Sequence, residues 1–282
     1  MTNREALKKA TEMLTKAGID SPKLEAEVLL RYTLNCTRAQ LLSNWNKKMS
    51  IEKQTAYYDF ISRRKNHVPF QYITNEQDFM SLKFHVTPDV LIPRGDTEIL
   101  VEEALRLIKI ERLTKAADIG TGSGAIACSI AYYSPARVWA VDCSQAALAV
   151  AQKNATDLGV ASKVTFLTGD LLNPLKQKNV TVDLLAANLP YIPCKEIDNL
   201  EPEVRMEPVS ALDGGPDGLA IYRTLVPQIE HVLIPGGFLL LEIGYDQGTD
   251  VKRLLADFGL IDISVLKDYA GHDRVIKGRK RE

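Results

Sequence analysis

The chain has 282 residues and a formal net charge of −1, with 45% hydrophobic and 25% charged residues. This composition is typical of a water-soluble globular protein, and the length permits one large domain or a large domain with a small one. No apolar run approaches the roughly 20 residues of a membrane-spanning helix, and the polar first ten residues are not a secretory signal. We therefore expect a cytoplasmic protein without a membrane partner.

The cysteines and histidines show no spacing typical of a metal site. The four cysteines contain no C-x-x-C pair, and the four histidines form neither H-x-x-x-H nor H-x-x-E. Scattered cysteines of this kind are expected to be free thiols in a reducing compartment. We therefore expect no bound metal.

Charge is distributed unevenly along the chain. Residues 1–70 carry 13 Lys or Arg and 7 Asp or Glu, a net charge of +6, and the remaining residues carry a net charge of −7. The basic part is a candidate surface for an acidic partner. The alternative is a solvated helical domain whose lysines have no partner.

Residues 1–68 are predicted to form a small bundle of four short helices. The second helix is expected to bury Leu24, Val28 and Leu29, and Gly18 is expected to end the first helix. Helix starts are marked by cap residues, which are Thr2 with Glu5, Ser21 with Pro22, Thr37 with Gln40, and Ser50.

Residues 69–92 are predicted to form a hairpin that links the bundle to a second domain, residues 93–282. Pro69 interrupts the helical pattern, and the aromatic and branched residues between Tyr72 and Val86 favour strands. A helix is predicted to follow, from about Asp96 to Lys109.

From residue 115 onward the predicted strands and helices alternate, which is typical of an α/β domain with a parallel sheet and helices on both faces. The predicted helices span 125–132, 144–158 and 218–231, and the segment 251–258 precedes the last two strands. The predicted strands span 116–119, 138–141, 164–167, 182–186, 237–243, 261–266 and 274–277.

A glycine-rich turn, residues 118–124, follows the first of these strands. Its glycines are spaced G-x-G-x-G, which differs from the G-x-G-x-x-G of dinucleotide-binding turns and makes less provision for a pyrophosphate. Such a turn lets the backbone approach a ligand closely. The residues predicted to bind a nucleotide-like cofactor here are Gly120, Thr121, Gly122, Ser123 and Gly124.

Two acidic residues follow the next strands, where a cofactor would lie. Asp142 ends the second strand and is predicted to accept hydrogen bonds from both ribose hydroxyls; the alternative is a helix cap, because a helix starts near Ser144. Asp170 follows the third strand and is predicted to meet an adenine amino group, with Leu171 packed on the ring. The alternative for Asp170 is a plain turn aspartate.

The loop from Asn188 to Tyr191 follows the fourth strand and faces the same crevice. Asn188 Oδ1 and a carbonyl of Leu189 or Pro190 can accept the two N–H bonds of a planar nitrogen group, and Tyr191 can stack on it. These acceptors improve as positive charge grows on the nitrogen, and no dedicated base is required. The turn and the loop together indicate methyl transfer from S-adenosyl-L-methionine to an amide or amine nitrogen. The alternative is a rigid turn with a buried tyrosine.

The chain resembles the PrmC/HemK family of release-factor glutamine methyltransferases over nearly its whole length. The order and spacing of several motifs carry this resemblance. They are Pro69 to Ile73, Val90 to Arg94, Asp96 to Glu98, Asp118 to Gly124, Asn188 to Ile192, Glu207-Pro208, Ala211-Leu212, Gly214-Gly215, Asp217 to Leu219 and Ala270 to Arg274.

The resemblance implies a Rossmann-like class I methyltransferase domain preceded by a helical bundle that helps bind the substrate protein. It implies methylation of the glutamine in the Gly-Gly-Gln motif of class I peptide chain release factors, with N(5)-methylglutamine as product. By motif, residues 120–124 would line the methionine part of the cofactor and Asp142 its ribose. Asn188 would contact cofactor and substrate, and residues 188–191 would hold the glutamine amide. Arg94 would edge the substrate pocket or serve as a salt-bridge residue.

Two positions depart from the family pattern. Leu189 stands where N-P-P-Y has its first proline, which keeps a backbone carbonyl but loses the fixed φ of proline. Gly95-Asp96 replaces the usual proline-glutamate, and Asp96 is still expected to cap the helix that follows.

The nearest rival interpretation is a nucleic-acid amino-methyltransferase, because such enzymes present a similar loop to a flipped base. The acidic second domain opposes it, since a stand-alone nucleic-acid enzyme usually carries a basic face. We therefore expect no stable nucleic-acid partner. A non-catalytic binding module and a dehydrogenase are further alternatives with less support from the motifs.

Overall fold

The chain divides into two compact units, and the computed structural model describes all 282 residues. The first unit consists of residues 1–75 with 201–206, and the second consists of residues 76–200 with 207–282. The helical part therefore extends to residue 75 rather than 68, because the chain forms one further helix there. No helix of the structure combines the length and the apolar character that crossing a bilayer requires.

Five helices form the first unit, and three of the four predicted N-caps are present. Thr2 Oγ1 accepts from the Glu5 N–H at 3.3 Å, and Thr37 Oγ1 accepts from the Gln40 N–H at 3.2 Å, so both capping boxes are present. Ser50 caps the fourth helix. The helices are α1 (Asn3–Lys16), α2 (Pro22–Leu34), α3 (Arg38–Ser43), α4 (Ile51–Lys65) and α5 (Phe70–Thr74).

Two details of α2 differ from the sequence prediction. Ser21 makes no capping hydrogen bond with its side chain, although Pro22 occupies the first turn as expected. Leu24 is 60% exposed, because the core-facing side of α2 is formed by residues such as Leu29 and Leu30. The apolar spacing of α2 therefore located the helix but assigned one residue to the wrong face.

Helix α5 occupies the start of the predicted hairpin linker, residues 70–74 of 69–92. Pro69 immediately precedes α5, a position that its fixed φ favours. Tyr72 and Ile73 are both buried. Of the residues that suggested strands, Tyr72 therefore belongs to a helix, whereas Phe79, Leu82 and Phe84 lie in the predicted hairpin.

Residues 201–206 are held in the first unit by a buried cation. Arg64 is 6% exposed, and its guanidinium pairs with Glu25 and donates to Glu203 Oε1 at 2.9 Å. His67 Nδ1 also lies 3.3 Å from Glu203 Oε1. A buried charge needs such partners, because burial removes the hydration that stabilises it in water.

The second unit begins with a hairpin and contains a seven-stranded sheet. The hairpin pairs β1 (Glu76–Phe79) with β2 (Leu82–His85). The sheet strands run in the order β5-β4-β3-β6-β7-β9-β8. They are β3 (Lys115–Ile119), β4 (Arg137–Asp142), β5 (Val164–Thr168), β6 (Val182–Ala187), β7 (Leu233–Glu242), β8 (Ile261–Lys267) and β9 (Asp273–Arg279).

The sheet is mostly parallel, but its pairings that involve β9 are antiparallel. Strands β3 to β7 are mutually parallel, whereas β9 runs antiparallel to both β7 and β8. Only residues 268–272 connect β8 to β9. A connection of this length permits a hairpin but not the crossover of a dozen or more residues that a parallel pair needs.

Six helices accompany the sheet. The predicted helix 218–231 is shorter than expected and continues as a 3₁₀-helix over Val226–His231, because Pro227 cannot donate an α-helical hydrogen bond. The helices are α6 (Thr97–Glu111), α7 (Ala125–Tyr133), α8 (Gln145–Asp157), α9 (Asn173–Gln177), α10 (Ala220–Leu225) and α11 (Gly248–Asp257).

Both faces of the sheet are buried. Alternate residues of β3 belong to different apolar clusters: Ala116 packs in one, and Ala117 with Ile119 packs in the other. Strand β3 also has β4 on one side and β6 on the other, so the order of the parallel strands reverses there. In open α/β sheets, ligands bind outside the carboxyl ends of the strands at such a point.

Candidate active site

A cleft of about 560 Å³ opens at the carboxyl ends of the parallel strands of the second unit. Its volume lies within the roughly 300–1,000 Å³ typical of small-molecule sites. Thr97 lines the cleft, as do segments near Pro88 and Pro208. Ten predicted site residues also line it, which are Gly120, Thr121, Gly122, Ser123, Asp142, Asp170, Leu171, Asn188, Leu189 and Pro190.

The glycine-rich turn after β3 is tied to the end of β4. The backbone N–H groups of Gly120 and Thr121 both donate to Val141 O, at 2.9 and 3.0 Å. Gly120 has φ +72°, and a Cβ there would lie 2.9 Å from Cδ2 of Leu189. Glycine at 120 therefore lets the glycine-rich turn touch the loop that follows β6.

Gly124 has a different role from its neighbours. It does not line the cleft, and a Cβ on it would lie 2.9 Å from the Cβ of Ala151 in α8. The glycine therefore permits close packing of the start of α7 against α8.

Asp118 is a fully buried carboxyl group directly beneath the turn. Its Oδ2 accepts from Thr121 Oγ1 at 2.6 Å and from the Ala127 N–H at 3.0 Å, while Oδ1 has no partner. Burial raises the pKa of Asp118 to about 7 despite these hydrogen bonds. The sequence placed Asp118 in the turn but assigned no contact to it.

Asp142 points both carboxylate oxygens at backbone N–H groups beside the cleft. Oδ2 accepts from Gly122 at 2.9 Å, and Oδ1 accepts from Ser144 at 2.9 Å. Ser144 itself caps α8 through its own side chain, so Asp142 is not the cap residue. Each carboxylate oxygen retains a lone pair for a further donor in the cleft.

Asp170 and Leu171 lie at the mouth of the cleft, after β5. Asp170 is exposed, and its Oδ2 makes only a 3.5 Å contact with Asn173 Nδ2. Leu171 adopts a left-handed backbone conformation, with φ +46°. Both residues line the cleft as the sequence predicted.

Asn188 is oriented by one hydrogen bond, and its oxygen stays open. Its Nδ2 donates to Thr97 Oγ1 at 3.1 Å, and Oδ1 has no partner in the protein. The carbonyl oxygens of Leu189 and Pro190 likewise accept no hydrogen bond from the protein. The loop therefore presents three free acceptors near one another.

Tyr191 anchors the far end of this loop instead of lining the cleft. Its hydroxyl donates to Glu242 Oε1 at 3.3 Å, and its carbonyl accepts from Gln247 Nε2 at 3.0 Å. Burial raises the pKa of Tyr191 above its usual range, and the nearby Glu242 carboxylate adds to the shift. A Cβ on Gly218 would lie 2.2 Å from Tyr191 O, which explains one glycine of the Asp217–Leu219 motif.

The segment after the loop is fixed by backbone pairing. Ile192 N–H donates to Leu212 O at 3.0 Å, and Gly214 N–H donates to Ile192 O at 2.8 Å. Leu189 is itself 4% exposed and packs in the second cluster of the sheet. Packing and these bonds hold the loop in place of the φ restriction that proline would supply.

Of two charged residues near the cleft, Arg94 takes the salt-bridge role that was one of its two predicted alternatives, and Asp96 departs from its prediction. Arg94 does not line the cleft, and its guanidinium pairs with Glu207, whose other oxygen accepts from the Ile92 N–H at 3.1 Å. Burial raises the pKa of Glu207, and Arg94 opposes the shift. Asp96 makes no capping hydrogen bond, contrary to the prediction, and lies 3.3 Å from Arg274.

Sequence reasoning missed the residues that support the loop, namely Thr97, Glu242 and Gln247. Thr97 stands at the start of α6, Glu242 at the end of β7, and Gln247 just before α11. Thr97 and Glu242 are buried and hydrogen-bonded to each other at 2.6 Å. The one signal in the sequence that could have indicated such a residue is Glu242, a charged residue at the end of an otherwise apolar strand.

Comparisons with known proteins agree with this architecture. Residues 5–74 match the model of the PrmC N-terminal domain, and residues 116–205 match that of a methyltransferase domain. The mostly parallel sheet with its helices is the class I methyltransferase fold, as predicted. A crystal structure of a ribosomal protein L11 methylase from Lactobacillus delbrueckii subsp. bulgaricus has the same fold, with a TM-score of 0.51 and 21% identity over 70% of this chain and 84% of that one.

Two curated relatives match essentially the whole chain. A release factor glutamine methyltransferase of Moorella thermoacetica is 50% identical over 100% of both chains. Another protein of that name, from Geobacter sulfurreducens, is 41% identical over 99% of this chain and 96% of its own. With half of all positions shared over the full length, this chain belongs to the release factor glutamine methyltransferase family.

Proposed function

We propose that the protein transfers a methyl group from S-adenosyl-L-methionine to the side-chain amide nitrogen of the glutamine in the Gly-Gly-Gln motif of class I peptide chain release factors. The product is N(5)-methylglutamine. One observation carries the proposal: Asn188 Oδ1 and the carbonyls of Leu189 and Pro190 are free acceptors beside the cleft that the glycine-rich turn borders. The names of the relatives that match the full chain support the same substrate.

The cleft suits this cofactor in its hydrogen-bond acceptors and its apolar surface. Asp142 retains acceptor capacity for the two ribose hydroxyls, and Asp170 is exposed at the mouth, where an adenine amino group can reach it. Leu171 and Ile126 supply apolar surface for the ring. The turn 120–123 would border the methionine part, since it lies between Asp142 and the loop that follows β6.

The loop Asn188–Tyr191, called the acceptor loop from here on, suits a primary amide, which is planar and offers two N–H bonds. Asn188 Oδ1 would accept one of them and a carbonyl of Leu189 or Pro190 the other, which aims the nitrogen at the cofactor. When bound, S-adenosyl-L-methionine supplies an electrophilic methyl: a nitrogen–carbon bond forms as the carbon–sulfur bond breaks, and its electron pair remains on sulfur. The methylated nitrogen then releases its proton to water. We assign Tyr191 to holding the loop, because its hydroxyl and its carbonyl are both engaged.

The decisive experiment is incubation with labelled S-adenosyl-L-methionine and a purified class I release factor, followed by peptide mass mapping. We expect a mass increase of one methylene on the glutamine of Gly-Gly-Gln, and no label on a release factor in which that glutamine is replaced by alanine. Label on tRNA or DNA, with none on the release factor, would instead favour the nucleic-acid enzyme.

The basic helical unit is proposed to bind an acidic surface of the release factor. Replacing Lys8 and Lys16, both exposed on α1, with glutamate should raise the KM for the release factor several-fold at low salt, because complementary charges speed encounter. The KM for the cofactor should not change. The matched control is Lys109→Glu with Lys252→Glu, which makes the same charge change on exposed positions of the second unit. Equal effects of the two pairs would contradict a docking role for the helical unit.

A further inference from the structure

A buried hydrogen-bond chain joins both ends of the acceptor loop to one carboxylate. Thr97 Oγ1 donates to Glu242 Oε2 at 2.6 Å, and Tyr191 Oη donates to Glu242 Oε1 at 3.3 Å. Asn188 Nδ2 donates to Thr97 Oγ1 at 3.1 Å. Glu242 is 2% exposed and Thr97 is 4% exposed, so bulk water does not compete for these bonds.

We propose that Glu242 and Thr97 are positioning residues that decide which end of the Asn188 amide faces the substrate. The inference rests on the proposed function and adds the reason why Asn188 presents its Oδ1, and not its NH₂ group, to the substrate. Glu242 accepts a hydrogen bond from the single hydroxyl proton of Thr97, so Thr97 can only accept from Asn188. Asn188 must then turn its NH₂ group toward Thr97 and present Oδ1 to the substrate amide.

The direction of these hydrogen bonds follows from the number of protons that each group carries. A threonine hydroxyl has one proton to donate, whereas an ionised carboxylate has none and accepts at both oxygens. With Glu242 ionised, the hydroxyl protons of Thr97 and Tyr191 both point at its carboxylate. The donor and the acceptor of every hydrogen bond from Glu242 to Asn188 are then determined. Without that acceptor the Thr97 hydroxyl can donate to Asn188 Oδ1 instead. The amide would then present two donors to a substrate that itself donates.

The backbone around Glu242 keeps the carboxylate in place. Tyr222 is fully buried, and its hydroxyl donates to the carbonyl oxygen of Glu242 at 2.6 Å. On the loop side, Gln247 donates to Tyr191 O and its Oε1 accepts from the Gly244 N–H at 2.9 Å. Several hydrogen bonds therefore hold the end of β7 against the loop after β6. The Glu242 side chain is not needed for this and can instead set the direction of the hydrogen bonds of Thr97 and Asn188.

The first test compares Thr97→Val, Thr97→Ser and Glu242→Gln in methylation of a class I release factor. Valine keeps the shape of threonine without the hydroxyl, and glutamine keeps the shape of glutamate but turns one acceptor into a donor. We expect each of these two variants to lower kcat by about 10- to 100-fold, up to the cost of a 1 Å misplacement of a reacting group. The KM for the release factor should change little, because the acceptor matters most in the transition state. Thr97→Ser should recover most of the rate.

The double variant Thr97→Val with Glu242→Gln separates a shared role from two independent ones. Because both residues act through Asn188, the double variant should be little slower than the slower single variant. Multiplied effects would overturn the inference. The matched control is Glu103→Gln, since Glu103 is also a buried glutamate and pairs with Arg106 and Lys277 away from the cleft. It should keep its kcat.

The pH profile supplies a readout that a structural role alone would not move. Burial raises the pKa of Glu242 to about 7, although its bonds to Thr97 and its proximity to Arg274 oppose the shift. Wild-type kcat should therefore fall as the pH drops through about 7, and Glu242→Gln should lack this acid limb. The charged and titratable groups that face Glu242 are Asp96, Tyr191, Tyr222 and Arg274, with Asp268 paired to Arg274.

The effect of Glu242 ionisation on folding stability has the opposite sign to its effect on kcat, so the two can be told apart. A carboxyl whose pKa is raised in the folded state contributes stability at low pH and loses it as the pH rises through the folded-state pKa. Activity should thus increase over the same range in which the Glu242 contribution to stability declines. An acid limb that keeps its full size in Glu242→Gln would overturn the inference; a smaller limb that remains belongs to Asp118, the other buried carboxyl whose pKa is raised to about 7. If the wild type methylates no release factor at all, the proposed function fails instead, so the two failures are distinguishable.

Discussion

Replacing Asn188 with alanine is expected to lower kcat for release-factor methylation by about 100- to 1,000-fold, the range found when one preorganised polar contact to a transition state is removed. Asn188 Oδ1 is the side-chain acceptor beside the cleft, and alanine leaves one amide N–H of the substrate without it. The loss should appear in kcat more than in KM, because the acceptor gains strength as positive charge grows on the nitrogen. Single-turnover methylation at saturating cofactor measures it.

A matched substitution at the same position identifies the cause. Asn188→Asp keeps an acceptor toward the substrate but loses the donation to Thr97, so it should lose less activity than Asn188→Ala. The thermal unfolding temperature of both variants should fall only slightly, since the one hydrogen bond lost is that from Asn188 Nδ2 to Thr97 Oγ1, and Thr97 keeps its bond to Glu242. A rate within tenfold of wild type for Asn188→Ala would show that the backbone carbonyls suffice.

Asp142→Ala is expected to weaken S-adenosyl-L-methionine binding by about 100-fold, or about 2.7 kcal/mol. The carboxylate would hold two ribose hydroxyls while its oxygens also accept from the N–H groups of Gly122 and Ser144. Its removal therefore costs the ribose contacts and leaves the turn after β3 less firmly held. Isothermal titration with the cofactor measures the change in affinity.

Asp183→Ala is the control for Asp142. Asp183 Oδ2 also accepts backbone N–H bonds, from Thr114 at 2.7 Å and from Lys115 at 2.9 Å, but next to the start of β3. Its loss should affect stability and leave cofactor affinity unchanged. If both variants lost affinity equally, Asp142 would be a structural residue and the ribose assignment would be wrong.

The order of elements was readable from the sequence because its signals are local. Capping boxes at Thr2 and Thr37 involve residues three positions apart, and the alternation of strands and helices after residue 115 needs only runs of apolar residues. The direction of β9 and the helical state of residues 70–74 were less accessible. The first depends on the length of a connection, and the second depends on the core that covers Tyr72.

The family and the fold class could be read from the sequence, because they depend on the order and spacing of short motifs and on the alternation of strands and helices along the chain. The glycine-rich turn and the loop Asn188–Tyr191 could be located in the same way, since each is a short contiguous motif at the end of a strand. What supports that loop depends on the tertiary structure alone. Thr97 and Glu242 are 145 positions apart, and Asn188 and Thr97 are 91 apart, yet a hydrogen bond joins each pair. It also placed Arg94 on Glu207 and Asp96 beside Arg274. No local pattern encodes such pairs, because burial and the strand order bring their atoms together.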